Sequence, residues 1–111
     1  MADESIDKIY EAIETAKATG KLKKGSNEVT KSIERQEAKL VIVAKDVTPP
    51  EITMHLPLLC EEKGIPCVEV PSKEELGAAA GIEKPTASVA IVQEGEAKAI
   101  IKEIVQSIKK A

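Results

Sequence analysis

Residues 39–44 read KLVIVA, a lysine and then five aliphatic side chains with no polar residue among them. A strand points its side chains alternately to two faces, so a run like this has to be covered on both sides. That requirement constrains everything else in the chain. A strand buried on both faces needs a layer of helices above it and another below, and the remaining segments must supply them.

Their periodicity does so. Residues 4–18 set Ile6, Ile9, Tyr10, Ile13, Ala16 and Lys17 at three- and four-residue spacing, which predicts a helix burying one stripe and stopped by Gly20. The mixed stretch 21–24, KLKK, reads as an edge strand, because lysines on an outer strand discourage pairing with other molecules. Gly25 closes it, and Ser26 reads as the N-cap of a second helix running from Asn27 to Glu34 or Arg35. Pro49 and Pro50 open a third helix, kinked or split at Pro57 and ended by Gly64. Residues 66–70 form the next strand. Ser72 caps the short helix KEELGAAA, which Gly81 stops; residues 82–85 are a loop, residues 86–93 a fourth strand, and residues 94–110 a last amphipathic helix. Helix and strand alternate throughout. The expected fold is α/β, a three-layer α/β/α sandwich with a mixed sheet of about four strands, in one domain over residues 1–111.

With no Phe or Trp and Tyr10 as the only aromatic residue, the core has to be built from Ile, Val, Leu and Ala. Hydrophobic residues at 42% and charged residues at 32% describe a compact soluble protein rather than a disordered or membrane chain. No apolar run approaches the roughly 20 residues of a membrane helix, and the acidic, amphipathic start is no signal peptide, so a cytoplasmic location and no membrane partner are expected. Cys60 and Cys67, seven residues apart, fit neither a zinc knuckle nor a disulfide framework and read as buried, reduced thiols. The net charge of -3 argues weakly against a nucleic-acid partner. The charges segregate, however. Asp3, Glu4, Asp7, Glu11 and Glu14 crowd the first sixteen residues, and Lys17, Lys21, Lys23, Lys24 and Lys31 follow with only Glu28 between them.

Reactive chemistry is sparse. LGAAAG has two glycines, in the wrong context for a phosphate loop. His55, the lone histidine, lacks the orienting partner a general base needs and reads as structural; nothing nearby lowers the pKa of Cys60, which reads as core. No catalytic residue, metal site or cofactor is expected.

The stretch GSNEVTK, residues 25–31, has two readings. In one, Ser26 caps a helix, Glu28 favours its positive end and Lys31 is one more solvated charge; this leaves Asn27, and the lysines brought to the same terminus, unexplained. In the other, the helix start recognises RNA. Its unpaired N–H groups and Lys21, Lys23 and Lys24 suit phosphates, while Asn27 and Lys31 share a face at four-residue spacing. A carboxylate only accepts hydrogen bonds, so Glu28 must be meant for a base donor, and guanine N1–H with its amino group is the natural target. Two other classes stay open on the residues alone: a protein-interaction module using the acidic first helix, and a thiol-dependent enzyme using Cys60 or His55.

The motifs KKGSNEVTKSIER at 23–35, KLVIVAKDVTPPEI at 39–52, HLPLLCEEKGIPCVEVPSKEELG at 55–77 and AAGIEKPTASVAIV at 79–92 together resemble the kink-turn-binding family of archaeal ribosomal protein L7Ae and its eukaryotic snoRNP and spliceosomal relatives. The resemblance covers nearly the whole chain. It implies a non-catalytic protein that grips a kink-turn, an asymmetric internal loop whose tandem sheared G·A pairs expose guanine edges. Asn27, Glu28 and Lys31 match the residues that read those guanines; Lys24, Gly25 and Ser26 match positions near the phosphates, and Arg35 a basic position near the RNA. Ile82, Glu83 and Lys84 match a second loop at the flipped-out nucleotide, against which Ile52 matches an apolar contact; core packing is the other reading of Ile52 and Ile82. Implied partners are kink-turn RNAs in the large ribosomal subunit, box C/D and H/ACA guide particles and ribonuclease P, together with guide-particle core proteins. Gln36 stands where the family commonly has glycine, Lys45 where it has an acidic residue, and Ala78 where it has lysine or arginine.

Overall fold

The computed structural model describes residues 3–44, 51–82, 84 and 86–110. Within them five α-helices and four strands alternate: α1 (Asp3–Thr19), β1 (Lys21–Lys24), α2 (Ser26–Glu34), β2 (Leu40–Ala44), α3 (Glu51–Lys63), β3 (Cys67–Val70), α4 (Lys73–Ala79), β4 (Ser88–Gln93), a 3₁₀ turn (Gly95–Ala97) and α5 (Lys98–Lys110). The sheet order is β1-β4-β2-β3; β4 runs antiparallel to both neighbours, and β2 is parallel to β3. The sheet is therefore mixed, with the all-aliphatic strand inside it and the lysine strand at its edge.

All five residues of β2 are buried, and alternation deals them to two cores. Leu40, Ile42 and Ala44 join Ile9, Ala12, Ile13 and Ala16 of α1, Leu76 of α4, and Ile101 and Ile104 of α5. Val41 and Val43 join Val29 and Ile33 of α2 and Leu56 and Cys60 of α3. Helices α1, α4 and α5 cover one face, α2 and α3 the other, giving the α/β/α sandwich that KLVIVA demands. Tyr10 lies outside the centre, half-buried, where its hydroxyl donates to Glu75 Oε2 at 3.2 Å and ties α1 to α4.

Several boundaries differ from expectation. α2 starts at Ser26 rather than Asn27, because Gly25 is the N-cap: at φ 89°, ψ 150° it turns the chain through a region open essentially to glycine alone, and its carbonyl accepts the Val29 N–H at 3.0 Å. The helix runs on through Pro57 without splitting. The fourth strand begins at Ser88, two residues late, and a 3₁₀ turn precedes the last helix. Pro49 and Pro50 lie outside the described residues. Ser72 does cap α4, its hydroxyl accepting the Glu75 N–H at 3.2 Å.

Three helices end alike. Gly64 N–H reaches Glu61 O while Ile65 N–H reaches Cys60 O; Gly81 N–H reaches Ala78 O while Ile82 N–H reaches Gly77 O. Gln36 N–H and Glu37 N–H do the same to Ile33 O and Ser32 O after α2. This paired closure places one residue in the left-handed region, which Gly64 (φ 71°) and Gly81 (φ 80°) tolerate. Gln36 is held there too, at φ 58°.

A left-handed L-residue costs about 1–2 kcal/mol, and glycine loses about 0.5–1 kcal/mol more in unfolded-chain entropy, so Gln36→Gly is expected to stabilise by about 0.5–1 kcal/mol. Urea denaturation checks this; a lower midpoint counts against the strain. Gly20→Ala is expected to destabilise by about 1–3 kcal/mol, since a Cβ there collides with the Gln93 carbonyl and the backbone must move. An unchanged thermal midpoint would contradict so tight a junction between α1 and β4.

Candidate nucleic-acid interface

Strand register brings separate segments to one end of the sheet. Lys24 lies opposite Val89 and Val43 opposite Ser88; the Gly25 N–H donates to Ser88 O at 3.2 Å, and the Ala44 N–H to Ala87 O at 2.9 Å. The junction from β1 into α2, the exit from β2 toward α3, and the segment entering β4 all emerge there. Lys24 and Gly25 thereby lie beside Ser88 and Val89, at the end of β2 from which the chain leads toward α3.

The α2 side of this end is the better furnished. Lys21, Lys23 and Lys24 are exposed along β1, whose Leu22 packs into the core, and Gly25 is half-exposed at the turn. Asn27 and Glu28 are exposed on the first turn of α2 and Lys31 on its last, while Val29 and Ile33 anchor its inner face. Among the described residues nothing pairs with the Glu28 carboxylate or with the ammonium groups of Lys21, Lys23, Lys24 and Lys31. Among the described residues, one acid without a partner thus stands beside Lys21, Lys23 and Lys24 at the start of α2, with Lys31 further along the helix. Ser26 occupies the first helical position.

The loop after α4 is fastened at both ends. The Ile82 N–H reaches Gly77 O at 2.9 Å, and the Thr86 N–H reaches Lys73 O at 3.2 Å. Ile82 is half-buried against the larger core, whereas Lys84 is exposed. The Lys17 stem crosses Gly81 at the start of this loop: a Cβ on Gly81 would lie 2.8 Å from Lys17 Cδ. Ile52 sits in the first turn of α3, and Glu83 lies outside the described residues.

Arg35 is not brought into the cluster. It caps the opposite end of α2, about 12 Å from Asn27 at 1.5 Å per residue, in an exposed 3.9 Å ion pair with Glu37. Sequence reasoning also passed over Thr86 and Ser88. The Ser88 carbonyl holds Gly25 in place and also accepts the Thr86 hydroxyl at 3.1 Å. The Ser88 hydroxyl is fully buried with no hydrogen-bond partner among the described residues. These contacts run through backbone carbonyls, which no side-chain pattern announces.

Other chemistry is thin. His55 is exposed on α3 rather than packed in a core. Among the described residues no group of three or more His, Cys, Asp and Glu is placed to hold a metal, and no helix is long and apolar enough to cross a membrane. Charge of the opposite sign collects in a groove between α1 and α4, lined by Asp7, Glu11, Glu14, Lys17 and Glu75.

The family model of ribosomal proteins described as L7Ae/L30e/S12e/Gadd45 matches residues 7–101. Among solved structures, the chain is similar to one described as the Giardia lamblia 15.5kD RNA binding protein, with 34% identity and a TM-score of 0.92 over 99% of this chain and 92% of the other. The match spans both helical layers, the whole sheet and every segment converging at the lysine-rich end. This chain belongs to the ribosomal protein L7Ae/L30e/S12e/Gadd45 family.

Proposed function

We propose that this protein binds RNA without catalysing a reaction, as a component of ribonucleoprotein particles, and that its target is the kink-turn. The observation that carries the reading is Glu28: an exposed carboxylate with no partner among the described residues, set among lysines at the start of α2. Family membership and the RNA-binding description of the similar Giardia lamblia protein support the same direction.

The parts divide the work by chemistry. Lys21, Lys23, Lys24 and the first N–H groups of α2 attract and position phosphates. Phosphate repels a carboxylate, so Glu28 is left for base donors: guanine N1–H and its amino group. Lys31 or the Asn27 amide then takes guanine O6. Ordinary duplex hides those edges in pairing, whereas tandem sheared G·A pairs expose them, so the site selects a sharply bent RNA. Gly25 and Ser26 let the backbone approach, and Arg35, at the far end of α2 beside Glu37, meets the RNA apart from the guanine-reading residues. Ile52, Ile82, Glu83 and Lys84 form the second contact, at the flipped-out nucleotide. The particles are the large ribosomal subunit, box C/D and H/ACA guide particles and ribonuclease P, where core proteins dock on the bent RNA and, in the box C/D case, on this protein.

Gel shifts with one stem carrying or lacking tandem G·A pairs test the reading. Asn27→Ala or Glu28→Ala is expected to cost about 1–3 kcal/mol against the kink-turn and little against the paired stem. Equal losses on both RNAs would remove base readout from the site. Lys23→Ala is expected to weaken both RNAs alike and to lower the salt slope by about one. Binding that survives Glu28→Ala but fails when Glu11 and Glu14 are reversed to lysine would move the interface to α1.

A further inference from the structure

Thr86, Ala87 and Ser88 tie three separate segments of the chain together. The Thr86 N–H donates to the carbonyl of Lys73, the first residue of α4, at 3.2 Å. Ala87 O accepts the N–H of Ala44, the last residue of β2, at 2.9 Å, and Ser88 O accepts the N–H of Gly25, the cap of α2, at 3.2 Å. A further bond closes this short stretch on itself, because the Thr86 hydroxyl also donates to Ser88 O, at 3.1 Å. One carbonyl thus takes, on its two lone pairs, the hydroxyl that ends the connection from α4 and the amide that opens α2. Thr86 and Ser88 are both buried, where a hydrogen bond is electrostatically stronger than in water.

We infer that Thr86 is a positioning residue for RNA binding: its hydroxyl holds the 82–84 loop and the start of α2 at one fixed separation, so that both engage a kink-turn together. The inference rests on the RNA-binding reading of those two segments and adds the device that couples them. The main-chain bonds do only half of this. Ile82 N–H to Gly77 O and Thr86 N–H to Lys73 O fasten the loop to α4, while Gly25 N–H to Ser88 O fastens the α2 cap to β4. Between the two anchorages stand the soft backbone torsions around Ala87. The ring closed through the Thr86 hydroxyl restrains them, and the loop and the cap then move as one body. A protein that presents two contacts at a preset spacing loses less freedom on binding than one that must first arrange them. Thr86 touches no RNA in this scheme; it acts through the Ser88 carbonyl on Gly25.

Thr86→Val removes the hydroxyl and keeps the shape. Ser88 O retains the Gly25 N–H, so the substitution orphans no buried group and the fold is expected to hold. Thr86→Ala, smaller but equally without a hydroxyl, is measured alongside and should match it. Gel shifts on the full chain use the stem with tandem G·A pairs and its fully paired counterpart. Thr86→Val is expected to bind the kink-turn about two- to tenfold more weakly, with an unchanged salt slope because no cation is lost, and to bind the paired stem as before. Thr86→Ser should restore binding. Lys84→Ala should cost a smaller factor in the Thr86→Val background than in the wild type, since a loosened loop contributes less. Solvent exchange of the Gly25 amide, followed by NMR, should quicken in Thr86→Val and not in Thr86→Ser. Equal Lys84→Ala factors in both backgrounds, an equal loss on the paired stem, or no rescue by serine would overturn the role of Thr86 and leave the RNA-binding reading standing. Should Glu28→Ala and Lys84→Ala themselves leave kink-turn binding unchanged in the wild type, that reading fails and takes this inference with it.

Discussion

Strand β2 has no face to offer water, and the arrangement of the molecule follows from that. Each aliphatic side chain taken fully out of water contributes roughly 1.5–3 kcal/mol, and β2 can collect this on both sides only from the sheet interior, beneath two helical layers. Its neighbours are set by the same requirement. Strands β4 and β3 flank it with apolar residues, and the lysine-bearing β1 is left at the edge, where its charges stay hydrated. The burial that stabilises the fold thus also delivers the basic strand to the surface beside the start of α2.

The sequence was most readable where a residue's own conformational needs decide the structure. Gly64 and Gly81 end helices because they accept left-handed geometry without cost, and both were legible as stops. Gln36 closes α2 in the same way with a side chain ill-suited to it, so its residue type announced nothing about the turn. The cap of α2 went to Gly25 over Ser26 for a related reason. Ser26 has the better capping chemistry, but only glycine fits the backbone path from β1 into the helix. Pro57 shows tertiary context prevailing over local preference, since α3 packed against β2 and β3 continues through it. Cys67 was read as buried and is only half so, because β3 is the outer strand on its side.

The candidate site was legible in part. Charge segregation and the Asn-Glu pair after a glycine picked out 24–31, where the charged groups of Lys24, Glu28 and Lys31 have no partner among the described residues. That the segment entering β4 lies beside the β1–α2 junction and the end of β2 is a consequence of antiparallel register between β4 and its two neighbours. Pairing across some sixty residues of chain leaves no mark on local spacing. Arg35 illustrates the converse: in the same helix as Asn27, it is carried by helical rise to the far end of α2.

The Tyr10–Glu75 contact between α1 and α4 gives this molecule an optical peculiarity. With no tryptophan or phenylalanine, the chain's intrinsic ultraviolet emission comes from one phenol, seated at a single seam between two helices and hydrogen-bonded to a carboxylate that quenches it. Separation of those helices breaks that contact, so a change in the emission reports on this seam. The molecule carries its own lamp, fixed to the α1–α4 side of the sandwich.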